Sequence, residues 1–64
     1  MWTTVYVATG YEWAKEVEQR LVAEGYIVKI KFFAMESGEE LYEIFAPDFE
    51  AEEIQGVLVE LDIV

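Results

Sequence analysis

Carboxylates are the side chains that this chain carries in number. Asp and Glu fill 14 of its 64 positions. Two groups lie close along the chain, Glu36, Glu39 and Glu40, and Glu50, Glu52 and Glu53. Paired carboxylates hydrolyse glycosidic bonds or hold divalent cations when a cleft fixes their separation. Neither group has the alternating Asp/Asn spacing and central glycine of a calcium loop. One falls in a turn and the other at a helix start, so both read as solvated or capping acids. The other groups able to move a proton are three lysines and four tyrosines. Histidine, cysteine and asparagine are absent, and serine and arginine occur once each. That removes the imidazole base, the thiolate nucleophile, the thiolate zinc site and the disulfide. The expectation is a protein that is not an enzyme, with no catalytic residue, cofactor or dedicated metal site.

Gly10 stands between the first strand and the first helix, where doubly wound folds hold phosphate on backbone N–H groups. A single glycine without G-x-G-x-x-G reads as a capped turn instead.

These residues need elements to place them. Thr3–Thr9 is rich in β-branched residues and alternates, which predicts a strand with Val5 and Val7 on one face and Thr4, Tyr6 and Ala8 on the other. Thr9-Gly10-Tyr11-Glu12 matches a capping box. A helix follows, with Ala14, Val17, Leu21 and Val22 as its apolar stripe, Trp13 beside them, and Gly25 as its stop. Residues 26–33 predict a second strand and 41–46 a third. Glu36-Ser37-Gly38-Glu39 turns the chain between them into an antiparallel hairpin. With Tyr42 and Ile44 inward, Glu43 shares a face with Lys29 and Lys31. Pro47 ends the strand and Asp48 is the expected N-cap of a second helix. Ile54, Val57, Leu58 and Leu61 give that helix its stripe. A competing reading ends it at Gly56 and continues as a fourth strand through Val57, Val59, Leu61 and Ile63. The fold expected is α+β, a two-layer sandwich in the order β-α-β-β-α, ferredoxin-like or a truncated form of it. All 64 residues form one domain.

If Val5, Val7, Val28, Ile30, Tyr42 and Ile44 face the helices, the opposite sheet face carries Tyr6, Ile27, Lys29, Lys31, Phe33, Leu41, Glu43 and Phe45, with Trp2 beside them. Trp2, Tyr6, Lys29, Lys31, Phe33, Glu43 and Phe45 are therefore the candidate interface. Aromatic patches of this kind are typical of binding surfaces, and a chain this small cannot bury them all.

Charge bounds the partner. Residues 1–31 hold four bases and four acids and are neutral, while residues 32–64 hold ten acids and no base and carry the whole net charge of −10. Nucleic acids and anionic membranes repel such a chain. Self-association as a homodimer, or a basic protein partner, is expected instead. No apolar run approaches the ~20 residues of a membrane span. Together with the missing cysteines, this points to the cytoplasm.

Four pieces in order carry a family resemblance. They are Thr4-Val5-Tyr6-Val7-Ala8, then Leu21-Val22-Ala23-Glu24-Gly25, then Tyr26-Ile27-Val28-Lys29, and last Tyr42-Glu43-Ile44-Phe45-Ala46-Pro47 leading into Glu50-Ala51-Glu52-Glu53. The layout resembles a group of small bacterial proteins of unknown function labelled as signal-transducing. The resemblance implies a ferredoxin-like fold similar to PII-type regulators, and it brings no catalytic residues. The chain departs from that group in its acidic second half and in having no clear ligand loop. The function expected is a non-enzymatic regulatory or protein-interaction module working through the aromatic sheet face. The alternative is a small-molecule sensor resembling PII-type regulators, with ligand held between subunits near Gly10 or the 36–40 turn.

Overall fold

The computed structural model describes Met1–Val64 as five elements in the expected order. They are strand β1 (Trp2–Thr9), helix α1 (Tyr11–Ala23), strands β2 (Lys29–Glu36) and β3 (Glu39–Pro47), and helix α2 (Asp48–Glu60). The three strands form one antiparallel sheet in the order β1-β3-β2. Both helices contribute to the one core, which makes an α+β two-layer sandwich consistent with a small ferredoxin-like fold. The competing fourth strand does not form, because α2 runs straight through Gly56.

The core is thin, with only ten of the 64 residues buried. Val17 and Leu21 of α1 and Ile54, Val57 and Leu58 of α2 meet Val5, Ile44 and Ala46 of the sheet. Ile44 sits at the middle of the central strand and is fully buried. The helical stripes fall as the spacing predicts, apart from Val22, which points to solvent at 54% exposure.

Helix ends differ from expectation at both N-termini. No side-chain bond caps α1, so the Thr9–Glu12 box does not close; Gly10 itself is the cap, at φ +89°. Asp48 is the first helical residue of α2 rather than its cap, and its carboxylate accepts a hydrogen bond from the Thr3 hydroxyl. The C-termini follow one plan. Gly25 donates to the Val22 carbonyl and Tyr26 to that of Leu21, while Asp62 donates to Val59 and Ile63 to Leu58. Each is a Schellman reversal, with Gly25 (φ +99°) or Asp62 (φ +62°) in the left-handed position. Tyr26 and Ile63 then fold back onto the core.

The hairpin turns where expected, but its strands reach right up to the turn. Ser37 and Gly38 both have positive φ, the mark of a two-residue type I′ turn. Such a turn leaves no slack, so pairing runs up to Glu36 opposite Glu39. The second strand is therefore Lys29–Glu36 rather than 26–33.

Two irregularities decide which side chains face which way. β1 has an extra residue at Val5, between Thr4 opposite Phe45 and Tyr6 opposite Ile44. β2 has one at Phe33, between Phe32 opposite Tyr42 and Ala34 opposite Leu41. An extra residue reverses the side-chain parity of everything beyond it. Val5 and Ala8 are consequently buried, while Val7 is 44% exposed. The expected inward pair of Val5 and Val7 does not exist.

Candidate functional site

The sheet face away from the helices is built on β3, which keeps strict alternation. Ile44 and Ala46 are buried toward the helices, so Leu41, Glu43, Phe45 and Pro47 stand on the open side. Pairing then brings their neighbours to that side. Trp2 lies opposite Pro47, Thr4 opposite Phe45 and Val7 opposite Glu43 on β1; Lys29 lies opposite Phe45 and Lys31 opposite Glu43 on β2.

Five of the seven expected residues, Trp2, Lys29, Lys31, Glu43 and Phe45, thus share one face. Tyr6 does not. The Val5 bulge turns it to the helix side, where its hydroxyl accepts a hydrogen bond from Trp13 Nε1 at 3.1 Å. Phe33 is the extra residue of the β2 bulge and is 53% exposed. Ile27 precedes β2 and belongs to the connection from α1. Val7 is a member that simple alternation misses, whereas Thr4, which precedes the bulge, stands on the open side with Trp2 as alternation expects. No signal in the sequence marks the change, because Tyr6 and Trp13, seven residues apart on β1 and α1, meet only in the fold.

The face is partly covered by its own side chains. Lys29 Nζ sits 4.3 Å from the centre of the Trp2 ring. The two residues stand on strands either side of β3, so their contact lies over the Phe45 end of the central strand. A cation on an exposed ring contributes about 0.5–1 kcal/mol. Thr4 Oγ1 donates to Glu43 Oε2 at 2.8 Å. Lys31 faces Glu43 across the strands as expected, without a close ion pair.

That last point sets the electrostatics. Lys15 and Arg20, on α1, are paired with Glu18 at 2.8 Å and Glu16 at 3.0 Å. Hydrogen bonding to Glu18 raises the Lys15 pKa. Lys29 and Lys31 have no carboxylate within 4.0 Å. The two unpaired bases of a chain with net charge −10 therefore stand together at one end of the open face, beside Glu43, while the same alternation puts Glu39 and its partner Glu36 at the hairpin end.

The acid groups do not converge. No three carboxylates come close enough to hold a metal ion. Glu50 takes the Ile27 N–H at 3.4 Å, and Glu53 takes the Tyr26 hydroxyl at 2.5 Å. The bond to Glu53 is the main reason the Tyr26 pKa is raised to about 12. Tyr42, whose hydroxyl donates to Glu40 at 3.0 Å, is also raised, first by burial and then by that bond. Gly10 donates its N–H to the Glu40 carbonyl at 2.8 Å, which joins the two places expected for a ligand into one corner. Glu12 in the first turn of α1 and the Glu40 carboxylate make that corner acidic rather than phosphate-binding. The fold has no cavity. No family model, no curated protein and no solved structure matches this chain.

Proposed function

We propose that this chain is a non-enzymatic regulatory or protein-interaction module that works through the open sheet face and associates with itself. A cytoplasmic setting and a signal-transducing role, as the family resemblance implies, fit the reading. The observation that carries it is the placement of the free bases. Every other base is neutralised on its own helix, while Lys29 and Lys31 stand unpaired among Trp2, Val7, Leu41 and Phe45. An apolar centre with satisfied or free polar groups around it is how interfaces are built. The face is small, so the association is weak and appears at high concentration.

Amide shift mapping over a dilution series, run beside light scattering on a sizing column, tests this. Mass should rise with concentration while the amides of Trp2, Val7, Lys29, Lys31 and Phe45 shift. A chain that stays monomeric to millimolar concentration, or one whose shifts avoid these residues, refutes the reading.

A further inference from the structure

We infer that the open sheet face of one copy is covered by the outward side of α2 from a second copy, in a head-to-tail contact. The inference rests on the reading of the open face given above and names its occupant. The inner stripe of α2 is Ile54, Val57 and Leu58, all buried. On the opposite side, at the i, i+3, i+7, i+10 spacing of a single helix face, lie Phe49, Glu52, Gly56 and Val59. Phe49 is 84% exposed and Val59 is 59% exposed. A solvent-facing helix side is expected to be polar throughout; this one carries two large apolar groups with a glycine between them.

Gly56 has no role within its own chain. Its φ is not positive, no heavy atom lies within 4 Å of where a Cβ would stand, and glycine is unfavourable inside a helix. A bare backbone between Phe49 and Val59, on a side shared with Glu52, leaves room for another chain to approach closely.

Charge selects what that is. α2 carries five acids, Asp48, Glu50, Glu52, Glu53 and Glu60, and no base. Two α2 helices laid together would set Glu52, Glu53 and Glu60 against their own counterparts. The open face offers Lys29 and Lys31, unpaired, at the end away from the hairpin, with Glu43 bonded to Thr4 beside them and Glu36 and Glu39 at the far end. A helix of thirteen residues is about 20 Å long, and the eight-residue strands of the sheet run about 26 Å, so the helix fits along the sheet. Covering it turns a two-layer unit, 16 Å thick in its shortest direction, into the three-layer arrangement that buries both faces of a sheet. Because the helix side and the sheet face lie on opposite sides of the molecule, two copies cannot satisfy each other mutually. The contact is heterologous and propagates.

A complementation experiment tests this. Lys31→Glu spoils the sheet face and leaves α2 intact; Phe49→Ser spoils α2 and leaves the face intact. Both residues are exposed, and circular dichroism checks that each variant is folded. Light scattering on concentrated wild-type protein should show mass growing beyond a dimer. Each variant alone should stay monomeric, and an equimolar mixture should recover a 1:1 dimer, twice the monomer mass, and stop there. If Phe49→Ser assembles like wild type while Lys31→Glu does not, α2 is not the occupant, although the face still binds. If Lys31→Glu assembles like wild type, the face reading falls as well. A wild type that halts at a dimer, with no recovery in the mixture, means an isologous contact and overturns the inference.

Discussion

Replacing Gly56 with alanine should make the isolated chain more stable. Gly56 lies inside α2, nine residues into a helix that continues to Glu60. Alanine in a helix interior is favoured over glycine by about 0.8–1 kcal/mol, through the backbone freedom that glycine has in the unfolded chain. Nothing in the fold offsets that gain, since an added Cβ meets no atom within 4 Å and the backbone is not left-handed. A domain of this length has a total stability of roughly 3–10 kcal/mol, so the gain is a sizeable fraction of the whole. It corresponds to a rise in Tm of about 4–8 °C, or to a urea midpoint later by about 1 M if m is near 1 kcal/mol/M. The assay is urea unfolding at low protein concentration, followed by circular dichroism, so that association adds nothing to apparent stability. The same variant at high concentration should associate less well than wild type, because the methyl group stands where a second copy approaches. The two effects have opposite signs. A Gly56→Ala chain that is less stable, or unchanged, would refute the helical placement of Gly56 with open space beside it. A chain that is more stable and also associates more tightly would show that Gly56 is not a point of approach.

Other variants probe the core, the bulge and the pH response. Ile44→Ala should cost about 2–5 kcal/mol by the usual range for a buried isoleucine and leave much of the population unfolded, seen as loss of a cooperative thermal transition. Gln55 Nε2 donates to the carbonyl of the bulged Val5 at 2.8 Å. Gln55→Ala should cost about 1–2 kcal/mol and speed hydrogen exchange in β1; unchanged exchange would mean that the bulge holds without it. Tyr26 has its pKa raised from 10.0 to about 12, chiefly by its bond to Glu53. A raised folded pKa gives stability that is complete below the unfolded value and is lost as pH climbs through the folded one. Wild type should therefore weaken between pH 10 and about 12, and Tyr26→Phe should weaken less over that range. Phenolate absorbance should show Tyr26 and Tyr42 titrating late, and the variant should keep only the Tyr42 step.

The hairpin and the middle of the open face are legible in the sequence because β3 alternates without interruption. Once Ile44 is set inward, Glu43 and Phe45 must face out, and pairing carries Lys31 and Lys29 with them. β1 is not legible in the same way. Val5-Tyr6-Val7 has the pattern of a regular half-buried strand, and the extra residue leaves no mark in it, because valine suits both an alternating position and a bulge. What decides is tertiary: Ala8 packs into the core without leaving space, and Tyr6 finds the Trp13 indole. The outer side of α2 escapes notice for another reason. Ile54, Val57, Leu58 and Leu61 form the stripe that marks α2 as a core helix, while Phe49 and Val59 are apolar on the other side. The acids around Phe49 read as ordinary first-turn residues until the free lysines are located.

The strand order has a consequence for how the chain assembles itself. β3 is the only strand with two neighbours, and it is formed late in the sequence. β2 and β3 are joined by a two-residue turn, so their ladder closes a minimal loop and can zip within microseconds. β1 has no partner until that ladder exists. Its first contact joins Thr9 to Leu41 across α1 and the whole of β2, and closing so large a loop is the slow, entropically costly event of folding. The first strand of the chain is therefore the last to dock, although once docked it buries Val5 and Ala8, where the other edge strand, β2, buries no residue. The Trp2 ring travels with β1, so its fluorescence reports the opening of the sheet at that edge.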